Sequence, residues 1–258
     1  AYLDRVNIGF AKLQMLDDLK FSETVYGLGA GVFFIGYFLF EVPSNLVMQR
    51  VGAKIWIARI MITWGVISAG FSLVSTPTQY YVLRFLLGAA EAGFYPGVIF
   101  YLMSWYPAHR RSQIIALFMV AIPVAGIIGG PLSGWIMQAF NGAHGMAGWK
   151  WMFIIEAVPS LVLGVMTLFF LDNNPSQAKW LTPEQKAHIQ RALEIPVRAH
   201  ARILSTVGNV FSDPRMLLLA VIYFCVIMGQ YGLTFWMPTL IKASGVQEIG
   251  RASCRERV

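Results

Sequence analysis

Six long apolar runs constrain the fold of this 258-residue chain more than any other feature of its sequence. They cover residues 24–48, 55–74, 79–105, 112–139, 151–171 and 216–241, and residues 1–11 read as the end of a seventh run. A helix needs about 20 mainly apolar residues to cross the hydrocarbon core of a bilayer. The runs are also continuous, without the short alternating segments of a membrane β-barrel. We therefore predict an all-α integral membrane protein, and we number its segments span 1 (partial) to span 7.

The composition supports this prediction. Hydrophobic residues make up 57% of the chain and charged residues only 13%, and the mean hydropathy is +0.59, which is far more apolar than a soluble domain requires. The apolar runs recur along the whole chain, which excludes a single cleaved signal peptide as their explanation. The two cysteines, Cys225 and Cys254, match no metal-binding or multi-disulfide spacing, so we predict no metal and no cofactor.

The basic residues indicate how the spans are oriented. Eleven lie on one side of the predicted bundle, namely Arg50, Lys54, Arg59, Arg110, Arg111, Lys179, Lys186, Arg191, Arg198, Arg202 and Arg215, and four lie on the other, namely Lys12, Lys20, Lys150 and Lys242. Because loops rich in Lys and Arg stay in the cytoplasm, the first side is predicted to be cytoplasmic and span 1 to run outward. The net charge of +7 then reflects topology. We predict a multi-pass protein of the cell (inner) membrane that binds no nucleic acid.

The chain divides into four predicted parts. Residues 1–171 form a six-helix bundle whose first helix is incomplete, and residues 172–215 form a polar cytoplasmic linker that contains a helix start at Thr182. Residues 216–247 form the first helix of a second bundle. Residues 248–258, EIGRASCRERV, depart abruptly from the composition before them and resemble the translation of a sequencing-library adapter. We predict that this tail is not native.

Ionisable side chains inside the spans mark the candidate functional site, because a charge in the bilayer core is costly and usually functional. Apart from Arg59, which is counted with the basic loop before span 3, the spans hold six of them, namely Asp4, Arg5, Glu41, Arg84, Glu91 and Glu156. Arg84 and Glu91 are seven residues apart, so they share one helix face about 10 Å apart along the axis. The competing interpretation for this pair, and for Asp4 with Arg5, is a buried ion pair that only fixes helix packing. A structural or gating contact is the better explanation of Glu41, and Glu156 has no assigned role.

Glycines repeat at every fourth residue in three spans. The rows are Gly27 with Gly31, Gly93 with Gly97, and Gly126 with Gly130 and Gly134. Such rows predict that another helix approaches closely. The spacing leaves open whether they are static packing surfaces or hinges and sliding surfaces.

Several segments together resemble the anion:cation symporter branch of the major facilitator superfamily. They are YLDRVNIGFA (2–11), FFIGYFLFEVPSNL (33–46), RVGAKIWIARI (50–60), RFLLGAAEAGFYPG (84–97), GGPLSG (129–134) and YGLTFWMP (231–238). The superfamily's loop motif between spans 2 and 3 is present in altered form. Arg50, Gly52 and Lys54 match it and are expected to form a gating loop, whereas Gln49 replaces its acid and Ala53 one of its basic residues.

The resemblance implies a transporter of twelve helices in two six-helix halves, of which this chain would hold the end of helix 1 through helix 7. It implies import of a small organic anion, a carboxylate or a sugar acid, by proton symport with alternating access around a midplane site. By that likeness, substrate would be bound by Tyr2, Arg5, Tyr37 and Arg84, and protons would be carried by Asp4 and Glu91.

Alternatives to this function stay open at this point. Sodium coupling and uniport are the alternatives within transport, and a non-transporting membrane sensor on the same fold is an alternative of another class. An enzyme is not predicted, because the spans hold no nucleophile with a base and no His/acid metal cluster. The expected partners are the organic anion, protons and the lipid bilayer, and we expect the full-length protein to be a monomer.

Overall fold

The computed structural model of the chain describes residues 2–193 and 214–244, which form helices and no strand. The helices are α1 (Tyr2–Leu19), α2 (Glu23–Val51), α3 (Ala53–Gly70), α4 (Pro77–Glu91), α5 (Phe94–Trp105), α6 (Ala108–Met119), α7 (Ala121–Ala139), α8 (Gly148–Phe170), α9 (Pro183–Leu193) and α10 (Pro214–Ala243), with 3-10 turns at Phe71–Leu73 and Ala143–Gly145. The predicted all-α fold is confirmed for this part of the chain. The predicted linker beyond residue 193, with Arg198 and Arg202, and the predicted tail 248–258 lie outside the described residues.

Six segments of the described chain are long and apolar enough to cross a bilayer. They are Glu23–Val51, Ala53–Leu73, Pro77–Trp105, Ala108–Ala139, Gly148–Phe170 and Pro214–Ala243, and they coincide with predicted spans 2 to 7. Helix α1 differs from the prediction because it continues to Leu19, past the expected end at Ala11. It carries several charged side chains, yet Ile8, Ala11 and Met15 are fully buried because α2, α7, α8 and α10 pack around it.

Spans 4 and 5 are each divided, where the sequence predicted one continuous helix. Span 4 consists of α4 and α5, because Gly93 has a left-handed backbone (φ +84°) that an α-helix does not accommodate. Pro96 follows in the first turn of α5, where its missing backbone N–H costs no helical hydrogen bond. Span 5 consists of α6 and α7, which meet at Val120.

Helices α2 and α4 form the most extensive helix contact, and glycines make it possible. A Cβ on Gly36 would collide with the backbone oxygen of Phe85, and a Cβ on Gly88 would collide with the backbone oxygen of Phe33. These glycines let the two backbones touch. The predicted row in span 5 behaves differently, because a Cβ added at Gly126 or Gly134 would meet no atom of another described helix within 4 Å.

The predicted helix start in the linker is confirmed. Helix α9 begins at Pro183, directly after Thr182. The Thr182 Oγ1 accepts a hydrogen bond from the backbone N of Gln185 over 3.3 Å, and the Gln185 Oε1 accepts one from the backbone N of Thr182 over 3.0 Å. This reciprocal pair is a capping box.

Candidate functional site

Arg5 connects four helices near the centre of the bundle. From α1, its Nε donates to Oε1 of Glu91 at the end of α4 over 2.7 Å, and its Nη1 donates to the hydroxyl of Tyr231 on α10 over 2.6 Å. Its guanidinium carbon also lies 4.7 Å from the ring centroid of Tyr37 on α2. The side chains of Arg5 and Glu91 are only 16% and 3% exposed. Breaking this ion pair would therefore leave a charge uncompensated among apolar helices.

Arg84 lies beside this ion pair and is almost completely buried. Its Nε donates to the backbone oxygen of Gly29 over 3.2 Å, and its guanidinium carbon is 4.9 Å from the ring centroid of Phe33. The guanidinium carbon of Arg5 lies 5.6 Å from the same ring, so Phe33 contacts both cations. Within the described residues, no carboxylate lies within 4 Å of the Arg84 guanidinium.

The pairing of charges differs from the sequence-based alternative. The sequence offered an ion pair of Arg84 with Glu91, and this interpretation is wrong, because Glu91 pairs with Arg5. Seven residues on one helix put two side chains about 10 Å apart along the axis, which is too far for direct contact. A side chain from the adjacent helix α1 reaches Glu91 instead.

The remaining predicted site residues differ in their surroundings. Asp4 is 6% exposed, and its carboxyl accepts a hydrogen bond from Ser68 Oγ on α3 over 3.2 Å. Tyr2 lies half-buried in the first turn of α1 and makes no hydrogen bond to the described residues. The structure thus brings Arg5, Tyr37 and Glu91 together, whereas Tyr2 has no hydrogen bond to them.

The predicted gating loop lies between the end of α2 and the start of α3. Arg50 is in the last turn of α2, Gly52 caps the end of that helix with φ +97°, and Lys54 is the second residue of α3. The Oδ1 of Asn173, just after α8, accepts a hydrogen bond from the Lys54 backbone N over 2.9 Å, and a Cβ on Gly52 would come within 2.8 Å of that oxygen. Glycine is required here by both the backbone angle and the space. Asn173 was not singled out from the sequence.

Lys12 lies inside α1 and is buried, whereas the sequence predicted it in an outer loop. It is 2% exposed, its Nζ lies 2.6 Å from Oε2 of Glu23, and it stacks over Tyr26 (4.9 Å) and Trp236 (5.3 Å). A signal for it existed, because Lys12 follows Arg5 by seven residues and so shares its face of α1.

Comparisons with known proteins bear on the family and the fold of the chain. A family model described as the Major Facilitator Superfamily matches residues 1–253. The putative metabolite transport protein NicT of Pseudomonas putida is 53% identical over 248 residues, which are 96% of this chain and 57% of that protein. Two putative tartrate transporters of Agrobacterium vitis are 51% and 49% identical, each over 96% of this chain and over 55% and 57% of their own lengths. The chain thus spans little more than half the length of these relatives.

A solved structure shares the fold. The inward-facing, unoccupied form of a bacterial homolog of the human lysosomal transporter Spinster superposes with a TM-score of 0.75, over 98% of this chain and 55% of that one. The two sequences are 19% identical, so this likeness concerns the fold alone.

Proposed function

Because the chain belongs to the major facilitator superfamily, we propose that it forms the first half of a secondary active transporter that imports a small organic anion by proton symport. The observation that carries this proposal is the buried ion pair of Arg5 and Glu91 beside Arg84. Buried cations and a buried acid inside an apolar bundle are the groups that an anion and a proton would use.

Arg84 is the residue that we assign to the substrate carboxylate. Its planar guanidinium can hold a carboxylate through two parallel hydrogen bonds. Among the described residues no acid competes for it, so an anionic substrate would supply the counter-charge that this buried cation lacks. The 51% and 49% identity to putative tartrate transporters supports a carboxylate as the substrate class.

Arg5 and Glu91 are the groups that we assign to coupling. Arg5 is shared between Glu91 and Tyr231, so a substrate that engages Arg5 weakens its hold on Glu91. A buried carboxylate that loses its cation is stabilised by taking up a proton. Anion and proton then load together, which is a positive coupling between two sites. Asp4, next to Arg5 on α1, is assigned as the second proton carrier, and Tyr37 as a hydrogen-bond donor to substrate.

The test is uptake by a full-length transporter that contains this sequence, reconstituted in proteoliposomes with labelled tartrate as the probe. With an acidic exterior we expect accumulation above equilibrium, which a protonophore abolishes and which is unchanged when choline replaces sodium. Accumulation that follows the sodium gradient would replace proton coupling by sodium coupling. Equilibration without accumulation would indicate a uniporter. Absence of binding for tartrate and a panel of mono- and dicarboxylates would overturn the substrate class, and a sensor would then be favoured.

A further inference from the structure

A second polar cluster lies inside the bundle, outside the site around Arg5. It is formed by Glu156 on α8, Ser133 on α7, Asn7 and Asp4 on α1, and Ser68 on α3. All five residues are less than 10% exposed. Ser133 Oγ lies 2.8 Å from Oε1 of Glu156 and 3.4 Å from Oδ1 of Asn7, while Ser68 binds Asp4. The carboxyls of Asp4 and Glu156 interact electrostatically, which places these two hydrogen-bonded groups near each other. Four helices therefore contribute polar groups to this cluster.

Glu156 has no cation to balance it. Within residues 2–193 and 214–244, no Lys, Arg or His lies within 4 Å of its carboxyl. The elements packed against α8 are α1, α3, α7 and the turn Phe71–Leu73, and the last two carry no ionisable side chain.

The other acidic and basic side chains on α1, α3 and α8 are paired elsewhere, lie near helix ends or, like Arg59 over the ring of Trp56, are exposed. They are Arg5, Lys12, Asp17, Asp18, Lys54, Arg59 and Lys150. Asp4 is therefore the ionisable group that shares the cluster with Glu156. A negative charge on one of these two acids disfavours a negative charge on the other.

Two polar atoms of the cluster have no hydrogen-bond partner among the described residues. They are Oε2 of Glu156 and Nδ2 of Asn7, and both are fully buried. A charged carboxylate with a single donor and no cation is costly in such surroundings, whereas the neutral acid is tolerated. If the proton leaves, the free amide N–H of Asn7 is the nearby donor that can compensate the charge. The cluster thus contains an unused hydrogen-bond donor, the amide of Asn7, for the charged form of Glu156.

From these contacts we propose that Glu156, with Asn7 and Ser133, is a third proton-binding residue of the transporter, in addition to Asp4 and Glu91. This inference rests on the proposed proton symport. Asp4 belongs to this cluster and Arg5, its chain neighbour, belongs to the substrate site. A shift of α1 on substrate binding therefore acts on both places, and it changes whether Glu156 can keep its proton.

The first test detects the proton directly and does not depend on transport. Infrared difference spectroscopy of the full-length protein in lipid should show the carbonyl stretch of a protonated buried carboxyl group, and this band should be lost in Glu156→Gln. The amide is nearly isosteric and can keep the contact with Ser133. Ser133→Ala retains the acid but removes its donor, so it should move the band without abolishing it. Glu184→Gln, on α9 in the linker, is the matched control and should leave the band unchanged.

The second test measures coupling in proteoliposomes. Glu156→Gln should retain tartrate exchange at the wild-type half-saturation concentration and should lose most of the accumulation driven by a pH gradient. If the wild-type protein accumulates no anion under a pH gradient but shows the band, the proposal of proton symport is rejected. The proposal that Glu156 binds a proton is then retained. A wild-type spectrum without a band assignable to Glu156 overturns the inference, as does normal accumulation by Glu156→Gln. Loss of the band on adding sodium also overturns it, because the cluster would then bind that cation.

Discussion

Helix α1 contributes two buried cations, and their partners differ. Arg5 pairs with Glu91, an acid whose side chain is 3% exposed, whereas Lys12 pairs with Glu23, whose side chain is 63% exposed. The first pair is enclosed on both sides, and the second is enclosed only at the cation. Water can therefore replace Glu23 as a partner of Lys12, but it cannot easily replace Glu91 as a partner of Arg5. The difference separates a pair suited to coupling from one suited to holding helices together.

The largest expected effect is the loss of pH-gradient-driven uptake when Glu91 is changed. In the full-length transporter, Glu91→Gln should reduce pH-gradient-driven uptake to simple equilibration, because the amide cannot exchange a proton, while tartrate exchange persists. Asp4→Asn should give the same result through the other assigned carrier. Glu23→Gln is the matched control from the second pair and should accumulate substrate normally. Uphill uptake that persists in both Glu91→Gln and Asp4→Asn would exclude these acids as the proton carriers.

The next largest expected effect is a loss of tartrate affinity when Arg84, which lies in the enclosed region, is changed. Arg84→Lys keeps the charge but loses the two-pronged geometry. We expect its tartrate half-saturation constant to rise about 10-fold, and that of Arg84→Ala about 100-fold, as the loss of a charge-assisted hydrogen bond worth about 1.5–3 kcal/mol predicts. Isothermal binding measurements on folded protein check this, and unchanged affinity in both variants would reduce Arg84 to a packing role.

A third change tests the close contact of α2 with α4, the helix that carries Glu91. Gly88→Ala should destabilise the protein by about 1–3 kcal/mol, because the new Cβ meets the backbone oxygen of Phe33, which cannot move like a side chain. Gly126→Ala has open space around it and serves as the control. Thermal unfolding in detergent measures both, and equal melting temperatures would contradict the close approach of the two helices.

The smallest effect belongs to the half-exposed pair. Lys12→Met keeps the apolar stem and should cost about 1 kcal/mol, chiefly from the lost contacts with the rings of Tyr26 and Trp236. The cost should shrink when Trp236 is already Leu, and a double-mutant cycle measures that coupling. Loss of pH-driven accumulation in Lys12→Met would remove the distinction between the two pairs.

The spans could be predicted from the sequence, because a long apolar run needs no partner to be recognised. The partners of the charged side chains could not be predicted from the sequence. Spacing along α4 shows that Arg84 and Glu91 share a face, but only helix packing brings Arg5 to Glu91 and Tyr231. Likewise, the regular glycine row in span 5 is partly open, while Gly36 and Gly88, which follow no such row, permit close backbone contact between α2 and α4. Patterns within one helix do not specify which other helix will face them.

The interruption after Glu91 divides span 4 into two separate helices, α4 and α5. Glu91 is the last residue of α4, and the left-handed Gly93 separates it from α5. The helix geometry is interrupted at this point, so the direction of α5 is not fixed by that of α4. On the predicted orientation α5 forms the cytoplasmic half of the span. A change in the direction of α5 would therefore not by itself require a change in the contact of Glu91 with Arg5, because the interruption lies between that contact and α5.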